Sequence, residues 1–222
     1  MSPTMRAQLE RGANDVWTRP RSRYTRTLRI AAVAVVSLIV IVAAFVYIQA
    51  HQDKGVAPTG TRTPQACRLD EQTLQRARTS NPMRFEESDS GDEKYAVCGW
   101  AQTKGKDGID PRSLSVTVQR YTGPTAERDA RASFVSAKSR PHAVEDSYQT
   151  SDAPGIPDEA AYQTAVGTTD SSVVTLIARR ANTVVEVTYS GADQGFFWTT
   201  PMPAAEGREL TATVMNELLS RP

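Results

Sequence analysis

The sequence predicts an α+β fold, an antiparallel sheet with helices packed on it, preceded by one N-terminal transmembrane helix. Three observations predict this. Residues Ile30 to Ile48 are apolar except for Ser37 and the hydroxyl of Tyr47. Two β-branched runs, Ser171–Arg179 and Thr183–Ser190, flank Arg180-Ala181-Asn182 in the pattern of a hairpin. Stretches with helical apolar spacing lie at Ala126–Lys138 and Glu206–Ser220. The implied organisation is a tail (1–29), a span (30–49), a flexible linker (50–66) and a domain (67–222), the last of ordinary single-domain size.

As a helix the apolar run is roughly 28 Å long, close to the roughly 30 Å hydrocarbon core of a bilayer. A helix satisfies its own backbone, so it tolerates lipid. Residues 1–29 carry seven arginines against Glu10 and Asp15. Arg19, Arg21, Arg23, Arg26 and Arg29 crowd the near edge of the span, whereas Lys54 and Arg62 beyond the far edge are offset by Asp53. Positive charge is retained in the cytoplasm, which places the N-terminus inside and the domain outside the cell membrane. Trp17, Tyr24 and Tyr47 suit the two interfaces. A cleaved signal peptide is the rival, but its apolar region is about 7–15 residues. Ile48-Gln49-Ala50 matches a cleavage site poorly, so an uncleaved anchor is expected. No Cys directly follows the span, which argues against a lipoprotein anchor.

Beyond residue 29 the chain holds 19 Lys/Arg against 23 Asp/Glu. That mildly acidic balance does not supply the basic face a nucleic-acid reader needs. Gln49 to Ala66 is rich in Thr, Pro and Gly and has no apolar period, so it reads as a spacer. His51 is alone within it. Cys67 and Cys98 are the sole cysteines. An even pair in an oxidising exterior predicts a disulfide. A metal or redox pair is the alternative, disfavoured because there is no CxxC and no nearby His.

Within the domain, Asp70 caps a helix from Glu71 to Thr79 that buries Leu74 and Ala77, and Asn81-Pro82 ends it. Met83–Glu87 is a short strand and Ser88–Glu93 a turn. Lys94–Gln102 is a strand with Cys98 and Trp100 on one face. Thr103–Arg112 is a loop. Its Asp107, Gly108 and Asp110 resemble a calcium loop too short and without the closing Glu, so no metal is expected. Ser113–Tyr121 alternates cleanly, with Leu114, Val116 and Val118 on one side. Thr125 caps the helix Ala126–Lys138, whose stripe is Ala130, Phe134 and Ala137, and Pro141 stops it. His142 reads as a surface residue. Ala143–Asp158 is the longest loop and a candidate ligand rim. Ala160–Val166 is a strand, followed by the hairpin, in which Glu186 faces away from Val185, Val187 and Tyr189. Gly191–Pro203 is a loop with three consecutive aromatics. Phe196, Phe197 and Trp198 are expected to plug an open end of the core, or else to form an exposed patch for a partner, ligand or bilayer. The final helix presents Leu210, Val214 and Leu218, adjoined by Met215 and Leu219.

Cys67, Cys98-Gly99-Trp100, Leu114-Ser115-Val116, the Val173–Ile177 and Val184-Val185-Glu186-Val187 hairpin and the closing Leu/Val-rich helix resemble the actinobacterial exported domains of unknown function. Those are commonly lipoproteins with a paired cysteine and a Cys-x-Trp. The same pattern is similar to the PsbP-like α/β/α sandwich. The resemblance covers roughly residues 67–220. The chain departs from it by carrying a transmembrane anchor in place of a lipidated Cys, and the family brings no catalytic residues to carry over.

There is no GxSxG, HExxH, Walker A, GxGxxG or DxDxDG motif. No catalytic residue and no cofactor is therefore expected. The expectation is a single-pass, extracytoplasmic, non-enzymatic binding, sensor or accessory module of the cell envelope. Its partners would be the membrane and an envelope protein or a lipid or glycan ligand, with no nucleic acid. The alternatives are an envelope-polymer hydrolase and a structural membrane-tethered spacer.

Overall fold

A computed structural model describes residues 21–50, 52, 55–57, 65–140, 148–156, 159–166, 171–195 and 198–220. The chain divides into two units, Met1–Gln49 and Ala50–Pro222. In the first the described residues form the helix α1 (Arg21–Ala50), whose last residue opens the second unit. No Gly or Pro occurs from Arg21 to Lys54, so nothing in the sequence stops the helix at Ile30. Its segment Thr27–Ile48 has 22 residues with a mean hydropathy of 2.9, none of them buried. At about 1.5 Å per residue, that is long enough to cross a bilayer.

The second unit is α+β, as expected. It contains β1 (Asn81–Asp89), β2 (Glu93–Ala101), β3 (Arg112–Tyr121), β4 (Tyr148–Asp152), β5 (Glu159–Val166), β6 (Ser172–Arg180), β7 (Thr183–Gln194) and β8 (Thr199–Pro201). Its helices are α2 (Glu71–Arg76), α3 (Ala126–Ser139) and α4 (Ala204–Leu219). The sheet runs β1-β2-β3-β7-β6-β5-β4, with β8 paired to the end of β7. Every pairing is antiparallel.

Register explains which side is the core. Across β6, β7, β3 and β2 one face aligns Val174, Tyr189, Leu114 and Trp100, and beside them Leu176, Val187, Val116 and Cys98. α4 packs on this face through Leu210, Val214 and Met215. Burying each such side chain stabilises by about 1.5–3 kcal/mol. The Cys67–Cys98 disulfide joins a 3-10 turn (Gln65–Cys67) to β2, with both cysteines fully buried and their Cα atoms 6.1 Å apart. Phe85 packs edge-on against Trp100 at 6.0 Å. The other face aligns Ala161, Ile177, Glu186 and Thr117, and beside them Gln163, Thr175, Thr188 and Ser115. Here α3 covers Ala161, Ile177 and Val184 with Ala130, Phe134 and Ala137. The sheet thus lies between α3 and α4.

Several local expectations change. α2 ends at Arg76, short of Thr79, because Arg78 turns to φ +53° and breaks the helical path. Asp70 makes no side-chain cap; its own N–H donates to Glu217 Oε1 at 2.6 Å. Thr125 does not cap α3 either, since its hydroxyl donates to Asp129 at 2.6 Å. Tyr148–Asp152, expected as loop, is edge strand β4, held by pairing with β5 rather than by propensity. The stretch Gly191–Pro203 is largely a hairpin, with β7 running to Gln194 and returning as β8. The expected linker is partly docked: Val56 donates to Gln102 O at 2.8 Å and accepts from Lys104 N at 3.1 Å. Asn81 Nδ2 donates to the carbonyls of Val56 and Ala57.

The β6–β7 turn places Ala181 at φ +50°, a conformation that favours glycine. Ala181→Gly is expected to raise stability by about 0.5–1 kcal/mol, because the relieved strain exceeds the extra chain entropy. A rise in the urea midpoint at unchanged slope is the confirming result.

Candidate functional site

One group of polar side chains without side-chain partners lies on the α3 side of the sheet. β3 and β7 pair Thr117 with Glu186 and Gln119 with Val184, while Tyr95 of β2 lies opposite Gln119. These five residues form a small floor, since cross-strand neighbours on one face stand about 5 Å apart. The last turn of α3 supplies a wall through Ala137, and Arg140 follows it. Together they line a cleft of about 160 Å³. Val184 and Ala137 are buried, Tyr95, Thr117, Gln119 and Glu186 are half-buried, and Arg140 is exposed. Gln119 accepts from Ser133 Oγ at 2.8 Å through Oε1, which leaves its amide NH2 as the free end. Among the described residues, the Glu186 carboxylate, the Arg140 guanidinium and the Tyr95 and Thr117 hydroxyls make no side-chain hydrogen bond or ion pair. The cleft therefore holds one cation and one anion that are not spent on each other.

A second polar cluster differs in kind. The Arg112 side chain is fully buried. Its Nη1 donates to the carbonyl of Ala192, and its Nη2 donates to Asp193 at 2.5 Å and to Glu206 at 3.4 Å. Arg78 pairs with Asp110 at 2.7 Å and with the same Glu206 at 3.2 Å. Asp110 accepts from Gln194 N at 2.8 Å. Burial alone would lower the Arg112 pKa, but the hydrogen bond to Asp193 and the nearby negative charge outweigh it and raise it. Burial pushes the neighbouring Tyr189 hydroxyl up to about 12, and this hydroxyl donates to Ala77 O at 3.0 Å. A Cβ on Gly191 would stand 2.5 Å from Arg112 Cδ, so glycine there leaves room for the guanidinium stem. This network ties β3, β7, α4 and the end of α2 together. Its charges are paired with one another, which makes it a clamp, although Arg112 Nε is buried without a hydrogen-bond partner.

The aromatic patch divides. Phe196 and Phe197 lie outside the described residues, as do His51 and His142. Trp198 is 68% exposed, so its ring does not plug the core as expected. Gly195 N donates to Trp198 O at 2.9 Å, and a Cβ on Gly195 would meet that oxygen at 2.5 Å, so the close approach requires glycine. Of the candidate ligand rim, Ala153 and Ile156 are buried in the core and Tyr148–Asp152 is strand, while residues 141–147, 157 and 158 lie outside the described residues. In the Asp107 loop the carboxylate accepts from Ser80 N, Ser80 Oγ and Thr103 N, all within 2.9 Å. Those bonds make it a knot that fixes the loop. Among the described residues no three His, Cys, Asp or Glu side chains converge as metal ligands.

The strand pattern turns Glu186 away from Val185, Val187 and Tyr189, but nothing in the sequence pairs it with Arg140. The missing link is the register between β3 and β7, together with the position of α3. Compared with known proteins, the chain matches no protein-family model and no curated protein.

Proposed function

We propose that the protein is a single-pass membrane protein of the cell envelope whose C-terminal domain stands outside the cell and binds a ligand in the cleft between α3 and the sheet, without catalysing a reaction on it. The observation that carries this reading is the cleft itself, where the half-buried Glu186, Tyr95 and Thr117 and the exposed Arg140 meet without side-chain partners. The 22-residue apolar helix supports the anchor, and the arginines before it support an inside N-terminus. The buried disulfide supports an oxidising compartment. A helix on each side of the sheet supports the resemblance to the PsbP-like sandwich and to the exported actinobacterial domains. Among the described residues Glu186 is the carboxylate that lines the cleft, whereas hydrolysis of an envelope polymer by paired carboxylates needs two. That supports a binding role.

The test is site-specific photocrosslinking in intact cells. The full chain carries p-benzoylphenylalanine in place of Tyr95 on the cleft face or, as control, in place of Lys94, which points to the opposite side of the same strand. Light-dependent adducts at position 95 that are missing at position 94 support the proposal. Equal yields, or none at either position, overturn it.

A further inference from the structure

Resting on the reading of the cleft as a binding seat, we infer that its ligand is a small zwitterion, a free amino acid or a molecule of that size and charge pattern. Three observations give the class. First, the volume of about 160 Å³ is well below the roughly 300 Å³ at which sites for drug-sized ligands begin. It matches about five water molecules, so a folded oligosaccharide or a lipid tail does not fit inside it. Second, Glu186 rises from the floor and Arg140 from the rim, and they form no ion pair although they line one cleft. A ligand with an ammonium and a carboxylate on neighbouring atoms satisfies both: its ammonium donates to the Glu186 carboxylate, and its carboxylate accepts from the Arg140 fork.

Third, the neutral groups agree with that orientation. Gln119 lines the cleft with its carbonyl oxygen engaged by Ser133, which leaves its NH2 as a donor suited to the ligand carboxylate. Thr117 lies directly across from Glu186 and offers a hydroxyl. Val184 and Ala137 supply a small apolar wall. A ligand bearing only a carboxylate leaves the half-buried Glu186 unpaired, and one bearing only an ammonium forgoes the contact with Arg140, which selects against both. The two charges sit on different elements, Glu186 on β7 and Arg140 just past α3.

The experiment uses the full-length protein in detergent micelles, titrated calorimetrically with the common amino acids in both hands, and with acetate and ethylamine as single-charge probes. At least one amino acid is expected to bind saturably at about 1 mM or below. Acetate and ethylamine are each expected to bind at least about tenfold more weakly. Glu186→Gln and Arg140→Met are each expected to weaken the amino acid about tenfold, with Arg140→Lys intermediate. Neither residue holds a side-chain bond in the fold, so unchanged melting temperatures accompany these losses. Absence of saturable binding by every amino acid overturns the inference, and so does binding that neither substitution weakens. Crosslinks at position 95 without amino-acid binding overturn this ligand class and retain the seat. Absence of both overturns the seat as well.

Discussion

Replacing Cys67 and Cys98 together by alanine is expected to lower the stability of the unit Ala50–Pro222 by about 3–4 kcal/mol. The disulfide closes a loop with a sequence separation of 31. In the chain-entropy model, a loop of that size restricts the unfolded chain by about that amount. The loss is not offset by new solvent contacts, because both positions are fully buried between the 3-10 turn and β2. Alanine avoids the further cost of a buried, unpaired hydroxyl that serine would add. For a domain of this size the expected fall in Tm is about 10 °C. The check is a thermal melt of the full chain in detergent, read by circular dichroism. A fall below about 2 °C would mean that the loop is held by its packing, with the covalent link contributing little.

Arg112→Ala is expected to cost about 3 kcal/mol or more. Truncating one partner of a buried pair is strongly destabilising because the remaining charge loses its compensation. Here the guanidinium, fully buried, is shared among two backbone carbonyls, Asp193 and Glu206. Removing it strips the carbonyls of their donor and opens a void under the first turn of α4. Asp193 and Glu206 are partly exposed and regain water, which keeps the cost near the lower end of the range. Arg84→Ala is the contrast. Its pair with Glu86 is well exposed on both sides, so the change should stay within about 0.5 kcal/mol. Urea unfolding of the two variants side by side decides the matter. Equal losses would show that the buried network contributes no more than a surface pair.

The parts of the fold legible in the sequence are those where one physical signal dominates. Leu114, Val116 and Val118 alternate with polar residues, and β3 lies there. Ala130, Phe134 and Ala137 repeat at helical spacing, and α3 buries them. The apolar run of α1 is unmistakable by length. β4 was hidden because Tyr148-Gln149-Thr150-Ser151-Asp152 has no apolar alternation; an edge strand of this composition is fixed by its neighbour. β8 was hidden for the same reason, since its three residues exist as strand through pairing with β7. Arg112, expected as the last residue of a loop, opens β3. It is buried because the end of β7 and the first turn of α4 close over it, which a local pattern does not encode. The cleft was illegible for a related reason. Tyr95, Thr117, Arg140 and Glu186 are far apart along the chain, and register and helix placement alone bring them together.

Protease shaving of intact cells tests the central claim, a membrane-tethered domain outside the cell, most directly. The protein is expected to be wholly membrane-bound before treatment. A soluble protease added to intact cells is then expected to release a disulfide-bonded fragment whose N-terminus lies between residues 49 and 66. A full-length protein that resists the protease until the cells are broken, or a mature chain already free in the medium, would contradict it.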